Sequence, residues 1–343
     1  MKEVLKMMWN EKKAEEILAK HKNRFSLRLT FKIIRVLVAV YILYVIYMLP
    51  LSLIYEASNI GERTEHYQAV AVDWTMPGLS IAVSSSTYNE ITPFWTQKIE
   101  FPLLKRIGKE DYVVSQLNLR KTLISSFSTV EIEESYTLNS SEEGFKFYLP
   151  YHPVTGTKLV GNDSPAVWSK LEKINDGNVA EMAFSTEEYY SPAEIVQLLS
   201  LYDLDIIWMP LYMGELKQYK EGSWGGGGTS ISLGRPWGLA GGRVANPNFN
   251  GGSLINILVK STVEASEQAM LENMNMMLDK NKNLAETLLG TDYLQERYDY
   301  LNKEGFQVYG AVVTGPVKEL LKLKEVKEIH SEQLGEITYW NWE

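Results

Sequence analysis

RVLVAVYILYVIYMLPLSLIY, residues 35–55, is the stretch that decides the fold class of this chain. The twenty residues 36–55 contain no charged side chain. A helix of that length rises roughly 1.5 Å per residue and crosses roughly 30 Å of hydrocarbon. A core helix of a soluble domain would show a polar face over such a length, and none is present. The stretch therefore predicts a helix that spans a membrane.

A cleaved secretory leader is the main alternative for this stretch. Leaders combine a short basic start, an apolar core of about 7–15 residues and a small-residue cleavage site. Here the basic start is 35 residues long, and the apolar core is too long for a leader. The sequence IYEASNI that ends it lacks a clear small-x-small pattern. We therefore interpret the stretch as a retained anchor.

The charges on the two sides of the anchor differ in sign. Residues 1–35 hold ten basic and four acidic side chains, a net charge of +6; the chain carries −9, so residues 36–343 carry −15. The positive-inside rule then predicts a single-pass cell-membrane protein with a cytoplasmic N-terminus and an extracytoplasmic C-terminal region. The acidic outer part argues against direct binding of nucleic acid.

No motif in the chain requires catalysis or a cofactor. There is no cysteine, which excludes thiol nucleophiles, cysteine-based zinc sites and iron–sulfur clusters. The four histidines are isolated, and the chain has neither an H-x-x-x-H pair nor a G-x-S-x-G elbow. We expect no metal site, no cofactor and no enzymatic activity.

Four segments follow from these patterns: a basic cytoplasmic segment (1–35), a transmembrane helix (36–55), a β-rich extracytoplasmic module (56–163) and a mixed β-α-β module (164–343). The expected fold class is a single-pass membrane protein with an α+β extracytoplasmic region. The β-rich module is predicted from alternating or β-branched stretches. These are YQAVAVD (67–73), LSIAVSSS (79–86), the segment 112–135 and FKFYLPY (145–151).

The second outer module is predicted to mix strands and helices. A short helix starts at Ser164-Pro165, and Ser191 and Glu194 form a capping box for a later helix. Strand–helix–strand patterns occur twice, near 178–213 and near 306–342, with two helices between them inside 266–305. The repetition is a weak sequence signal of an internal pseudo-repeat.

Residues 1–24 predict a short helix that carries an apolar stripe. The first part of the stripe is spaced at i, i+3 and i+4, and the rest resumes after a gap. Its positions are Leu5, Met8, Trp9, Ile17 and Leu18. Two interpretations stay open: a basic amphipathic helix that lies on membrane lipid, or a docking helix for a cytoplasmic partner.

A second set of aromatic positions lies within the anchor itself. Tyr41, Tyr44 and Tyr47 are spaced at i, i+3 and i+6, so they share one side of the helix. This side faces either lipid or a second membrane protein.

GSWGGGGTSISLGRPWGLAGGRVANPNFNGG, residues 222–252, holds 11 of the 24 glycines. No lysine follows the glycines, which argues against a phosphate loop. The segment is either a loop or hairpin between two elements, or a loop that closes on a ligand. The candidate ligand residues are Trp224, Arg235, Trp237 and Arg243. If they bind a ligand, alanine at Trp224, Trp237 and Arg243 should abolish capture and leave folding intact.

Two stretches carry a resemblance to a known family. NRFSLRLTFKIIRVLVAVYILYVIYMLP, with its basic stub and anchor, and YLNKEGFQVYGAVVTGPVKELLKL near the C-terminus resemble the "sigma factor regulator" family. These proteins are membrane-bound anti-sigma factors of Gram-positive bacteria with N- and C-terminal regulator domains. The resemblance extends over nearly the whole chain. It departs in one respect, because the cytoplasmic part is only about 35 residues long and lacks the His/Cys zinc pattern of better-known anti-sigma domains.

The resemblance implies signal transduction to transcription. The cytoplasmic segment would sequester an extracytoplasmic-function sigma factor, and the outer region would act as a sensory or regulatory domain. An alternative is an anchored extracytoplasmic ligand- or cell-wall-binding protein without enzymatic activity. A third hypothesis is an anchored enzyme that acts on the wall.

Overall fold

The structure is a computed structural model that describes residues 2–81, 88–123, 128–134, 144–220, 224–225, 229–249 and 251–340. The chain divides into two compact units, Met1–Ser58 and Asn59–Glu343. The first unit is helical, and the second combines helices with antiparallel sheets. This confirms the predicted mixture of helices and strands.

The first unit consists of one helix, α1 (Lys2–Ala57). The sequence predicts a short helix over 1–24 and a separate span over 36–55. The structure joins them, because residues 25–35 contain neither proline nor glycine to interrupt the backbone hydrogen bonds. Among the described residues, Leu29–Ala57 is the only helical stretch long and apolar enough to cross a membrane.

The second unit opens with α2 (Ile60–Thr75), which follows α1 after only Ser58 and Asn59. The strand predicted over 67–73 is wrong, because these residues lie within α2. All residues from Tyr67 to Trp74 are buried. A helix buried on every side shows no polar face, and its apolar alternation imitates a strand.

The next five strands form one antiparallel sheet. They are β1 (Leu79–Ile81), β2 (Tyr88–Ile91), β3 (Thr96–Ile107), β4 (Glu110–Thr122) and β5 (Ser128–Glu134). The order is β1-β3-β4-β5, and β2 also pairs with β3. The strands predicted in 79–86 and 112–135 are confirmed where these residues are described. β3 is absent from the predictions because Pro102 and charged residues interrupt its apolar pattern.

The strand predicted over 145–151 is wrong. The segment makes only isolated bridges, Tyr148 with Ser232 and Tyr151 with Lys158. Its backbone bonds elsewhere: the Tyr148 amide donates to Ser185 Oγ at 2.9 Å. An extended segment whose amides bond to side chains has the composition of a strand without its ladder.

The predictions that begin the second module are confirmed. The elements are α3 (Pro165–Leu171), β6 (Asn178–Tyr190), α4 (Pro192–Leu199) and β7 (Asp205–Leu211). The capping box at α4 is complete, since the Ser191 amide donates to Glu194 Oε2 at 2.7 Å and the Glu194 amide donates to Ser191 Oγ at 3.3 Å.

The glycine-rich segment folds into short strands. They are β8 (Trp224–Gly225), β9 (Ser232–Leu233), β10 (Trp237–Ala240), β11 (Gly242–Ala245) and β12 (Gly252–Ile255). β8 pairs with β9, β11 pairs with β12, and β10 pairs with β7. The hairpin interpretation of this segment is therefore confirmed for its described part.

Two helices follow, α5 (Val263–Leu289) and α6 (Leu294–Glu304). Both were predicted, and the predicted break between them coincides with Asn281, whose non-helical backbone kinks α5. The structure adds a second interruption, because α5 ends at Gly290 with φ 66°. Gly305 ends α6 as predicted.

The chain closes with β13 (Val308–Pro316), α7 (Val317–Lys322), a 3₁₀ turn (Leu323–Glu325) and β14 (Ile329–Tyr339). The second sheet has the order β10-β7-β13-β6-β14, with antiparallel neighbours. Its two strand–helix–strand units interleave: β13 lies between β6 and β7, and β6 lies between β13 and β14. This is a split β-α-β arrangement, and it confirms the two predicted strand–helix–strand units.

One hydrophobic core draws on residues from both predicted outer modules. Its large, fully buried side chains come from α2, β3, β6, β7 and β10. They include Tyr67, Phe101, Phe184, Trp208 and Trp237. The boundary at residues 163/164 stays a prediction.

Candidate functional site

α1 carries the predicted cytoplasmic contact positions. Leu5, Met8 and Trp9 occupy neighbouring positions on one side of the helix. Trp9 and Leu18 are nine residues apart, about 2.5 turns, so a continuous helix places them on opposite sides. Both are exposed, at 62% and 68%. The helix therefore separates Leu18 from the first part of the stripe that the sequence predicts.

The first part of the stripe also has a basic neighbour. Lys13 Nζ lies 4.0 Å from the centre of the Trp9 ring, a cation–π contact one turn along the helix. The structure describes only the backbone of Leu5, Met8 and Ile17. A partner that docks on this side would meet an aromatic surface bordered by positive charge.

Tyr41, Tyr44 and Tyr47 lie on one side of the apolar part of α1. They are exposed at 66%, 48% and 44%. Their spacing spreads them over about a third of the helix circumference. Their role as a transmembrane partner stripe stays a prediction.

Trp237, a predicted ligand residue, is fully buried. Its ring lies 5.7 Å from the ring of Trp74 in α2. The guanidinium carbon of Arg297 lies 4.3 Å from the ring centre, within range of a cation–π interaction. Trp237 thus ties β10 to α2 and α6 inside the core.

Arg243, a second predicted ligand residue, is also buried and forms an ion pair with Asp73 of α2. It donates a further hydrogen bond to the Ile81 carbonyl. Burial raises the pKa of Asp73, and the charge of Arg243 opposes that shift. Asn273 Nδ2 donates to the Arg243 carbonyl at 2.6 Å. The glycine-rich segment is therefore bound to α2, β1 and α5 through one arginine.

Arg235 has a different position, exposed beside an open groove of about 530 Å³. Its guanidinium covers Gly290, where a Cβ would lie 2.0 Å from Arg235 Nη1. Lys220 and Asp292 also line the groove, and its floor includes the buried ion pair of Arg297 with Glu215. Of the four predicted ligand residues, Arg235 lines this groove, whereas Trp237 and Arg243 are held in the core. The side chain of Trp224 lies outside the described residues.

A buried carboxyl that the sequence analysis did not single out joins the two sheets. Glu181 of β6 is fully buried, and its Oε2 lies 2.8 Å from Lys105 Nζ of β3. Gly78 and Gly335 allow this approach, since a Cβ at either position would lie 2.5 Å or 2.4 Å from a carboxyl oxygen. Burial raises the pKa of Glu181 to about 7, against the opposing charge of Lys105.

This pKa predicts how stability depends on pH. Because the pKa of Glu181 is higher in the folded state than its ordinary value of 4.5, the folded state binds more protons between these values, and stability falls as pH rises through about 7. Glu181→Gln should remove up to about 3 kcal/mol of this fall. Urea unfolding from pH 5 to 8 measures the effect, with the exposed Glu131→Gln as control. Parallel pH profiles for Glu181→Gln and the parent would contradict it.

Among the described residues, no group of three or more histidine or acidic side chains is placed to hold a metal ion. The sequence did not reveal two buried ion pairs, Asp73 with Arg243 and Glu181 with Lys105. Asp73 lies in an apolar run and Glu181 in a predicted strand. A buried carboxyl almost always requires a partner. A carboxyl within an apolar run is therefore the sequence signal that could have indicated these ion pairs.

Two family models match the chain. "Sigma factor regulator N-terminal" matches residues 15–112, and "Sigma factor regulator C-terminal" matches residues 171–336. The chain belongs to the sigma factor regulator family, which confirms the resemblance seen in its sequence. This membership implies a sigma factor as the partner.

One curated relative is the "Probable anti-sigma-M factor YhdL" of Bacillus subtilis (strain 168). It is 26% identical over 288 residues, which cover 83% of this chain and 71% of the relative. No solved structure matches the chain.

Proposed function

We propose that this protein is a membrane-anchored anti-sigma factor that sequesters an extracytoplasmic-function sigma factor through residues 1–35. The observation that carries the proposal is α1, which joins a basic segment with exposed Trp9 to an apolar span in one uninterrupted helix. The family membership supplies the class of partner. An apolar helical surface that lies in a partner's groove is a common mode of recognition.

The charge distribution supports the orientation. The net charge of +6 before the span and of −15 from residue 36 onward favour a cytoplasmic N-terminus and an extracytoplasmic unit at Asn59–Glu343. The basic segment also favours contact with anionic lipid, at about 1 kcal/mol per basic residue near the surface. The tyrosine side of the span at Tyr41, Tyr44 and Tyr47 could receive a second membrane protein.

The connection to α2 supports a regulatory role for the outer unit. Only Ser58 and Asn59 separate the end of α1 from α2. α2 lies in the core and pairs through Asp73 with Arg243. A ligand or a protease that disturbs the glycine-rich segment would therefore disturb α2, which only Ser58 and Asn59 separate from α1. Coupling to α1 requires that such a ligand bind two states of the outer unit unequally.

The contact side of α1 can be tested with two matched variants. Trp9→Asp should weaken binding of the sigma factor about 30-fold or more, because it places a charge in the proposed apolar contact. Leu18→Asp, on the opposite side, should leave binding within about threefold of the parent. The measurement is the affinity of the detergent-solubilised full chain for the sigma factors of the host, after capture from cytoplasmic extract.

Three other outcomes are informative. Equal loss in both variants would show that the partner surrounds the helix. Unchanged binding in Trp9→Asp would remove the contact from this side. Capture of no sigma factor by the parent would overturn the proposal and favour the alternative of an extracytoplasmic binding protein, for which the groove beside Arg235 is the place to search.

A further inference from the structure

Two aromatic side chains stand exposed at the turn between β2 and β3, residues 92–95, which we name the aromatic turn. Phe94 is 87% exposed and Trp95 is 43% exposed. The backbone of the turn is fixed, since the Trp95 amide donates to the Thr92 carbonyl at 3.1 Å and the Leu123 amide donates to the Trp95 carbonyl at 2.8 Å. Trp95 has φ 58°, a left-handed conformation that costs energy for a non-glycine residue. The turn thus holds the Phe94 side chain largely in water and the Trp95 side chain partly in water.

The aromatic turn lies at one particular end of the Asn59–Glu343 unit. Just after the C-terminal end of α2, Leu79 pairs with Lys105 of β3. Nearer the start of α2, Glu65 Oε1 accepts a hydrogen bond from Asn89 Nδ2 of β2 at 2.7 Å. β3 therefore runs alongside α2 in the same direction along the chain. Its Lys105 lies near the end of α2, and the aromatic turn lies near the beginning of α2.

Chain geometry places the turn level with the start of α2. Thr92 lies three residues beyond Asn89, roughly 10 Å along an extended strand. Asn59 lies six residues before Glu65, roughly 9 Å along a helix. A second contact also relates the turn to the start of α2. Lys121 of β4 pairs with Gln97, two residues after the turn. Burial lowers the pKa of Lys121, and the nearby positive charge of Arg63 in α2 lowers it further.

We propose that the aromatic turn inserts into the outer interfacial layer of the membrane as a second attachment point of the extracytoplasmic unit. The inference rests on the membrane anchoring proposed above. The apolar part of α1 ends at Ala57, so chain connectivity holds the Asn59 end of the unit close to the bilayer. Phenylalanine and tryptophan at this level gain from leaving water, and tryptophan is enriched at membrane interfaces.

We assign lipid as the occupant because only Ser58 and Asn59 connect this end of the unit to the apolar part of α1. With α1 and the aromatic turn both attached, the unit could not rotate freely about the Ser58–Asn59 connection. A conformational change inside the unit would then move α1 relative to a unit that the membrane holds in place.

The absence of cysteine makes the insertion measurable with single labels in the full chain. Thr92→Cys places an environment-sensitive dye at the first residue of the turn and keeps both aromatic residues. Leu201→Cys is the control: Leu201 is 86% exposed and near Asp203, which pairs with Lys109 at the far end of the β3–β4 hairpin. Ile42→Cys reports the anchor itself. The probe is a phosphatidylcholine–phosphatidylglycerol vesicle that carries headgroup-level nitroxide lipid.

The dye at position 92 should be quenched at least about twofold more strongly than the dye at position 201, since an interfacial group lies within roughly 5–10 Å of the headgroup boundary. Adding Phe94→Asp to the Thr92→Cys variant should abolish the difference. Equal quenching at 92 and 201, with the dye at position 42 protected from aqueous iodide, would overturn the insertion alone. A dye at position 42 that iodide reaches freely would overturn the anchoring and the insertion together.

Discussion

Arg243→Met should lower the free energy of unfolding of the Asn59–Glu343 unit by about 3–5 kcal/mol, because it leaves the Asp73 carboxylate buried without its partner. Asp73 and Arg243 are both buried, and Arg243 also satisfies the Ile81 carbonyl. The measurement is urea unfolding of the detergent-solubilised full chain, followed by near-ultraviolet circular dichroism.

A double variant separates the lost ion pair from lost packing. Asp73→Leu with Arg243→Met should recover most of the loss, because a buried pair can often be replaced by apolar residues of similar volume. The double variant should not recover the full stability of the parent, because the Ile81 carbonyl loses its hydrogen-bond donor. That loss should cost about 1 kcal/mol or more of the free energy of unfolding. Arg235→Met, an exposed arginine of the same segment, should change stability by less than about 0.5 kcal/mol. Equal losses for Arg243→Met and Arg235→Met would contradict the buried pair.

Trp237→Ala should cost about 3–5 kcal/mol, the range for a fully buried aromatic side chain. The cavity would lie between the Trp74 ring and the Arg297 guanidinium. Arg297 would also lose the nearer of its two aromatic contacts, while its contact with the Tyr219 ring and its ion pair with Glu215 would remain. The same urea titration measures the loss.

Trp237→Phe serves as the graded control, since it keeps an aromatic face for Arg297 and should cost about half as much. Trp95→Ala, at an exposed tryptophan, should stay within about 0.5 kcal/mol in micelles. A loss below about 1 kcal/mol in Trp237→Ala would contradict the core position and restore the ligand-loop hypothesis for this residue. These expectations reverse the one drawn from sequence, in which alanine at Trp237 and Arg243 leaves folding intact.

The comparison of α2 with α4 shows where sequence patterns are informative. α4 was predicted correctly because its start depends on neighbours: Ser191, Pro192 and Glu194 are close in sequence and their hydrogen bonds are local. Part of α2 was predicted as a strand because its burial depends on residues that are distant in the sequence. Its buried stretch from Tyr67 to Trp74 packs among elements distant in sequence, so no polar face marks its period.

The contact role of Leu5, Met8, Trp9, Ile17 and Leu18 stays a prediction, and the structure shows only how these positions lie around α1. The spacing of Leu5, Met8 and Trp9 identifies one side of a helix, whereas Ile17 and Leu18 were added across a gap. A short helix with an interruption could have brought them together. The uninterrupted α1 fixes the rotation between Trp9 and Leu18 at about 2.5 turns, so Leu18 becomes a control position.

The amino-acid sequence by itself determined the apolar span, the opposite charges on its two sides and the family. These are properties of composition and of short stretches, and partition into a bilayer depends on little else. Only the tertiary structure decided that Trp237 and Arg243 lie in the core, that α2 is a helix, and that Phe94 and Trp95 lie at the end where α2 begins. The physical reason is that burial of a charge depends on its partner, and Asp73 and Arg243 are 170 residues apart in the chain.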